Sequence, residues 1–398
     1  MESLCIKCKG KGLCGYPCRI LNNFIDVAPK PRLHFTGSSA PEVFVGQYGY
    51  PNINSGILAP SDNDKIAEFA TAEEWSKNNF SIENVLRIRA QLIYGKSQSH
   101  IKSTNKLKQV TQELALSSKP VSTEVFLHKK PILKFTTSSV FSPMTNPAPI
   151  KSAILQENPK VEKKVDYLTS DYDVKSVIAL KELYNSKIPV DHLQKLLSVG
   201  LLGIKSSRRM VPTRWSITAT DDTISKQLLE KIRYYKEIET FQLFEGNFVG
   251  NYIQILLLPG TFSFEAIEVW LAGSAYTNKT AIATDYEFFH GRKTYASNIT
   301  GGYYAMRFPV TEYLEKIKRQ ATVFIIRKIT QEYYAPLGVG IVRETTRRAL
   351  RNQPIFHEDK NQALNQISEV LKIPKEKILE HSKILNEYGK QKSLRDFW

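Results

Sequence analysis

Hydrophobic positions along this 398-residue chain follow two periods. In residues 63–94, Val85, Leu86, Ile88 and Ile93 fall near helical spacing, and Thr71-Ala-Glu-Glu74 fits a capped helix start. Residues 173–185 predict a helix with Val177, Leu180 and Tyr184 on one face, and 189–199 a second, closed by Gly200. The pair reads as a helical hairpin or as a helix-turn-helix; the hairpin is favoured because the second helix carries few side chains for base edges. Helical spacing returns over 311–319 and 339–350, and over 357–388 in two or three pieces broken near Pro374. Strand patterns occupy 125–135, 241–264, 282–295 and 323–329. Residues 20–60 read as short strands and loops, 95–125 as exposed and partly helical over 107–116, and 142–164 as an extended surface segment.

This alternation predicts an α+β or mixed α/β fold: a mixed-sheet core with surrounding helices, a small N-terminal knuckle and a helical C-terminal region. The expected divisions are 1–20, a β-rich and linker region 21–165 with one helical segment, an α/β core 166–356, a helical region 357–390, and a closing peptide 391–398.

Hydrophobic content of 42% supports real cores. No apolar run approaches the ~18 residues that span a bilayer, and Met1-Glu2-Ser3-Leu4-Cys5 has no signal-peptide apolar region. The expectation is a cytoplasmic protein with no membrane partner. Lysine and arginine number 55 against 39 acids, a net charge of +16, and the pI near 9.4 favours a polyanionic partner.

All four cysteines, Cys5, Cys8, Cys14 and Cys18, lie near the start. Four thiolates at this spacing fit one tetrahedral structural zinc; an iron–sulfur cluster and free thiols are the alternatives. Three further segments carry candidate chemistry. Arg208, Arg209, Arg214 and Trp215 suit phosphate contact and base stacking, and Asp222 suits a divalent metal or, more simply, a helix N-cap. Asp285, Glu287 and His290, with Arg292 and Lys293 beside them, suit either a metal-assisted phosphodiester site using Mg2+ or Mn2+, or a polar strand ending in a Gly turn. Arg343, Arg347 and Arg351 repeat at four-residue spacing and form an expected basic stripe for a DNA backbone.

The closing residues Gln391, Leu394, Phe397 and Trp398 resemble the PIP box that docks on the PCNA sliding clamp, and on one helical turn they form an apolar plug. Arg208-Arg209-Met-Val-Pro-Thr-Arg-Trp-Ser-Ile-Thr218, Glu287-Phe-Phe-His-Gly-Arg-Lys293, Gly301-Gly-Tyr-Tyr-Ala305 and Pro336-Leu-Gly-Val339 resemble the archaeal Nre family, as do the cysteine knuckle and the clamp peptide. The resemblance implies a DNA repair factor that works with PCNA, and with other repair proteins, on damaged DNA such as bulky adducts or crosslinks. It assigns no catalytic residue. The rival reading is a metal-dependent nuclease or other nucleic-acid- or nucleotide-processing enzyme, with Asp285, Glu287, His290, Arg214 and Asp222 in its site.

Overall fold

Two six-stranded sheets organise the chain in a computed structural model that describes residues 8, 13, 18–39, 42–61, 64–275 and 277–390. Its contacts divide into two units. One runs up to Ile224 and takes in Ala335–Gly340; the other holds Ser225–Tyr334 and the chain from Ile341 on. The boundary thus falls inside the 166–356 stretch expected as one core.

In the N-terminal unit, β1 (His34–Ser39), β2 (Val43–Val45), β3 (Asn52–Pro60), β4 (Leu92–His100), β5 (Val121–Leu127) and β8 (Pro147–Leu155) form a sheet of order β1-β5-β8-β4-β3-β2. Only the β4–β8 pair is parallel. The short strands β6 (Phe135–Thr136) and β7 (Met144–Thr145) pair separately. Strict alternation along β5 turns Val121, Thr123, Val125 and Leu127 inward. There they meet Val110 and Leu114 of the helix Lys106–Leu116 and Ile150 of β8. The expected surface segment 142–164 therefore holds an interior strand: its small apolar residues Ala148, Ile150 and Ala153 face the core, and Lys151 points out. Gly56 is required here, because a Cβ on it would lie 1.9 Å from the Gly95 carbonyl. Thr71 caps the helix Ala72–Lys77 by accepting the Glu74 N–H, as the sequence predicts. The helices Ser176–Asn185 and Val190–Ser198 match the expected pair, and Gly200 follows with φ +76°.

His192 of this pair gives the unit a pH response. Its ring bonds the Ala115 carbonyl at 2.9 Å. Burial, reinforced by Lys195, lowers its pKa from 6.5 to about 4. The folded state therefore holds the ring neutral where the unfolded chain would protonate it. That contribution is intact above pH 6.5 and is lost as pH falls towards 4, about 3 kcal/mol in all. Urea midpoints at pH 7 and pH 4.5 should show this loss in the wild type, with a smaller one in His192→Gln; equal responses would exclude His192 as the cause.

In the C-terminal unit, β9 (Phe241–Phe248), β10 (Asn251–Leu258), β11 (Ser263–Trp270), β12 (Ala281–Glu287), β13 (Thr322–Ile329) and β14 (Ile355–His357) run in the order β12-β11-β13-β10-β9-β14. Only β11 and β13 are parallel. Leu256, Leu258, Phe324 and Ile326 pack under the helices Lys360–Leu371 and Lys375–His381. The break between these helices falls at Pro374, as expected. The helix Gly301–Ile317 starts ten residues before its predicted 311–319, because its first turns are almost wholly buried aromatic and apolar residues. No helix of the described residues is long and apolar enough to cross a membrane.

Candidate nucleic-acid interface

The segment richest in candidate residues begins as a strap. Met210 N–H donates to the Ile101 carbonyl (3.0 Å), and Val211 N–H donates to the Ser198 carbonyl (2.7 Å). A Cβ on Gly200 would sit 2.5 Å from the Arg209 carbonyl, so the strap crosses directly over that glycine. Thr213 then opens a 20-residue helix, Thr213–Ile232. The sequence predicts that this segment begins as a loop after Gly203 and that the helix starts at Asp222, ahead of Ile224, Leu228 and Leu229. Tertiary burial moves the start back: Ser216, Thr220 and Asp221 are fully buried, and the Ser216 hydroxyl bonds back to the Thr213 carbonyl. Asp222 consequently sits inside the helix, not at its N-cap.

The first helical turn pushes Trp215 outwards, where it is 47% exposed. The Tyr50 ring lies 5.3 Å away at a 52° tilt and is itself 43% exposed. Ile101 N–H donates to the Pro51 carbonyl (3.0 Å), which ties the tyrosine loop to the strap through one residue. Arg209 and Lys102 are exposed at this junction, and Arg214 is half-buried next to Trp215. Two exposed rings and exposed cations thus sit on chain segments joined by backbone hydrogen bonds, the kinds of group that a stacked base and its phosphate require. Tyr50 and the more exposed Tyr48 are absent from the sequence-derived candidates. Their signal was Tyr48-Gly-Tyr50-Pro51, aromatics in a turn with no alternating pattern to bury them.

Arg208 does not join this surface. Its guanidinium donates to the carbonyls of Gly203, Thr169 and Asp171 and lies 4.5 Å over the Tyr172 ring. Burial holds its pKa below the ordinary value. It fastens the strap to the end of the helix Lys163–Ser170.

In the C-terminal unit, alternation places Asp285 and Glu287 inward together, as expected, but in a setting that corrects the metal reading. Both Glu287 oxygens accept from Arg307 Nη1 at 2.9 Å, and the pair is buried. Asp285 Oδ2 accepts the N–H groups of Asn298 and Ile299, and Oδ1 lies 3.1 Å from Arg292. His290 and Lys293 are exposed, whereas these oxygens are buried. Carboxylates already saturated by arginine and amide donors do not fit Mg2+ or Mn2+, and the described residues hold no group of three or more metal-ligating side chains. Arg292 is used internally, donating to the Tyr286 carbonyl at 2.7 Å.

The arginine stripe is corrected in the same way. On the helix Val339–Arg351, Arg343 is 3% exposed, and Arg347 is bound to Glu312 and Glu344. Arg351 alone of the three is exposed. Four-residue spacing put all three on one face, but Arg343 is buried in the fold and Arg347 is held by carboxylates, so of the three Arg351 alone stays at the surface.

Cys8 is buried and accepts the Leu13 N–H at 3.3 Å, and Cys18 is half-buried. Cys5, Cys14 and the whole of 391–398 lie outside the described residues.

Family models agree with the block order of the chain. Residues 13–277 match the model described as archaeal Nre, N-terminal, and residues 287–397 match archaeal Nre, C-terminal. The chain is 33% identical over 395 residues to "DNA repair protein NreB" of Archaeoglobus fulgidus, covering 99% of both. It is 36% identical over 370 residues to "DNA repair protein NreA" of the same organism, covering 92% of this chain and 93% of that protein. It is 33% identical over 350 residues to "DNA repair protein NreA" of Haloferax volcanii, covering 85% and 83%. No solved structure matches it. With both models placed end to end and relatives aligned along nearly their whole lengths, the chain belongs to the archaeal Nre family.

Proposed function

We propose that the protein is a DNA repair factor that holds single-stranded or distorted DNA on the Trp215–Tyr50 surface and is recruited by the PCNA clamp through residues 391–398. The observation that carries the DNA contact is the exposed ring pair beside Arg209 and Lys102. The net charge of +16 and the relatives' names support the same reading. Stacking on one aromatic is worth ~1–3 kcal/mol per base. Trp215→Ala should therefore weaken binding of a single-stranded oligonucleotide about 5- to 150-fold while the melting transition stays in place. Arg209→Ala should reduce the slope of log K against log salt by about 0.7. Unchanged affinity and slope in both variants would rule this surface out.

Cys5, Cys8, Cys14 and Cys18 would hold one zinc that folds the N-terminal knuckle and adds a second basic contact with DNA. The buried Cys8 sulfur, already accepting a backbone N–H, is consistent with a thiolate there. Elemental analysis of the full chain should give one zinc per molecule, falling towards zero in Cys8→Ser; a metal-free wild type, or iron in place of zinc, would end this assignment.

A further inference from the structure

Gly246 shapes a second place on the protein. A Cβ there would lie 2.7 Å from the Ala349 backbone N, so the helix Val339–Arg351 crosses β9 at that glycine. The crossing brings Arg348 and Arg351 to the free part of the sheet edge. β14 pairs with β9 only at Phe241–Leu243, which leaves the next residues of β9 without an outer strand neighbour among the described residues. An open cleft of about 530 Å³ results, within the size of small-ligand sites.

Its lining has an uncommon composition. Arg348 is held with its guanidinium 4.2 Å over the Phe248 ring, and Arg351 is exposed at the rim. Burial, then the neighbouring charge of Arg351, lowers the Arg348 pKa, and Glu344 opposes this only in part. Gln254 of β10 also lines the cleft. It is 2% exposed, and its Oε1 has no hydrogen-bond partner among the described residues. A buried carboxamide oxygen left this way is costly unless a ligand supplies the donor. Of the acidic groups nearby, Glu245 accepts from Gln366 at 3.2 Å and Glu332 accepts the Tyr252 hydroxyl at 3.3 Å, while Glu344 acts on Arg348 from outside the cleft lining. Two arginines thus face one lining carboxylate.

We propose that this cleft binds one nucleotide, its phosphate on Arg348 and Arg351 and its base edge on the Gln254 carboxamide. Paired cations alone would serve any phosphate. The buried amide adds a requirement for a ligand that also hydrogen-bonds, and a base edge meets it, since a carboxamide offers a donor and an acceptor together. A free nucleotide and a nucleotide turned out of a DNA strand offer the same groups. Only the second source rests on the DNA reading above.

Calorimetry on the full chain separates the possibilities, with dAMP, inorganic phosphate and a 20-nucleotide single strand as probes. We expect dAMP to bind at least tenfold more tightly than phosphate. Arg351→Ala should weaken both about tenfold. Gln254→Leu, which removes the unpartnered Oε1 and keeps a similar volume, should fold, weaken dAMP about tenfold and leave phosphate unchanged. If Gln254→Leu also weakens the 20-mer, the bound nucleotide comes from a strand; if it weakens dAMP alone, it comes from the free pool. Trp215→Ala should leave dAMP binding untouched, so failure of the stacking surface and failure of the cleft are read separately. The proposal is overturned if dAMP binds no better than phosphate, if neither cleft variant changes dAMP affinity, or if a hexa-aspartate peptide binds there and dAMP does not.

Discussion

Arg307→Met should destabilise the protein by about 3–5 kcal/mol, a large share of the ~5–15 kcal/mol available to a folded domain. Arg307 is 1% exposed and meets both oxygens of an equally buried Glu287. Removing the cation leaves that carboxylate dehydrated with its main donor gone. The Tyr303 and Tyr304 rings, 5.7 and 5.5 Å from the guanidinium, also lose a cation. The double variant Arg307→Met with Glu287→Leu removes both charges and should recover most of the loss, since apolar replacement of a buried pair is often neutral. Urea denaturation of the wild type, the single and the double variants gives the answer. A single variant within 1 kcal/mol of the wild type would show that the pair does not bear on folding, and would reopen Glu287 as a group held for chemistry.

The second large effect concerns the clamp. Phe397→Ala with Trp398→Ala should lower affinity for PCNA roughly a thousandfold, on the basis of ~2 kcal/mol or more for each hot-spot aromatic. Because the plug consists of Leu394, Phe397 and Trp398, with Gln391 supplying the polar contact, deleting 391–398 should abolish binding altogether. The urea midpoint should stay where it is in both cases. Wild-type affinity in the double aromatic variant, measured by calorimetry, would remove PCNA from the proposed function.

Much of the fold was legible because it is written locally. The Thr71 cap, the helix pair before Gly200 and the helix break at Pro374 each depend on residues a few positions apart. The misreadings share the opposite property. The helix Thr213–Ile232 forms against its own threonines because Ser216, Thr220 and Asp221 are buried by distant parts of the chain. The arginine stripe was a correct reading of spacing and a wrong reading of direction. Glu312, which engages Arg347, lies 35 residues away, and no local pattern announces it. Asp285 and Glu287 were rightly placed on one face, but whether a carboxylate there meets a metal or an arginine depends on Arg307, twenty residues on. Tyr50 escaped notice for a related reason: exposure of a ring is a property of the assembled surface.

The return of Ala335–Gly340 to the N-terminal unit has a consequence for the protein's birth on the ribosome. Val339 N–H donates to the Val140 carbonyl, Gly338 packs against the Phe141 backbone, and Ala335 and Leu337 are fully buried. The unit that begins first therefore cannot be completed until translation has passed residue 340, after the whole of Ser225–Tyr334 has been made. Ordinary vectorial maturation, in which the leading domain closes before the next emerges, is unavailable to this chain. A fragment cut at residue 224 would lack six residues of its own interior, so dissection of the protein into halves should carry 335–340 along as a grafted segment.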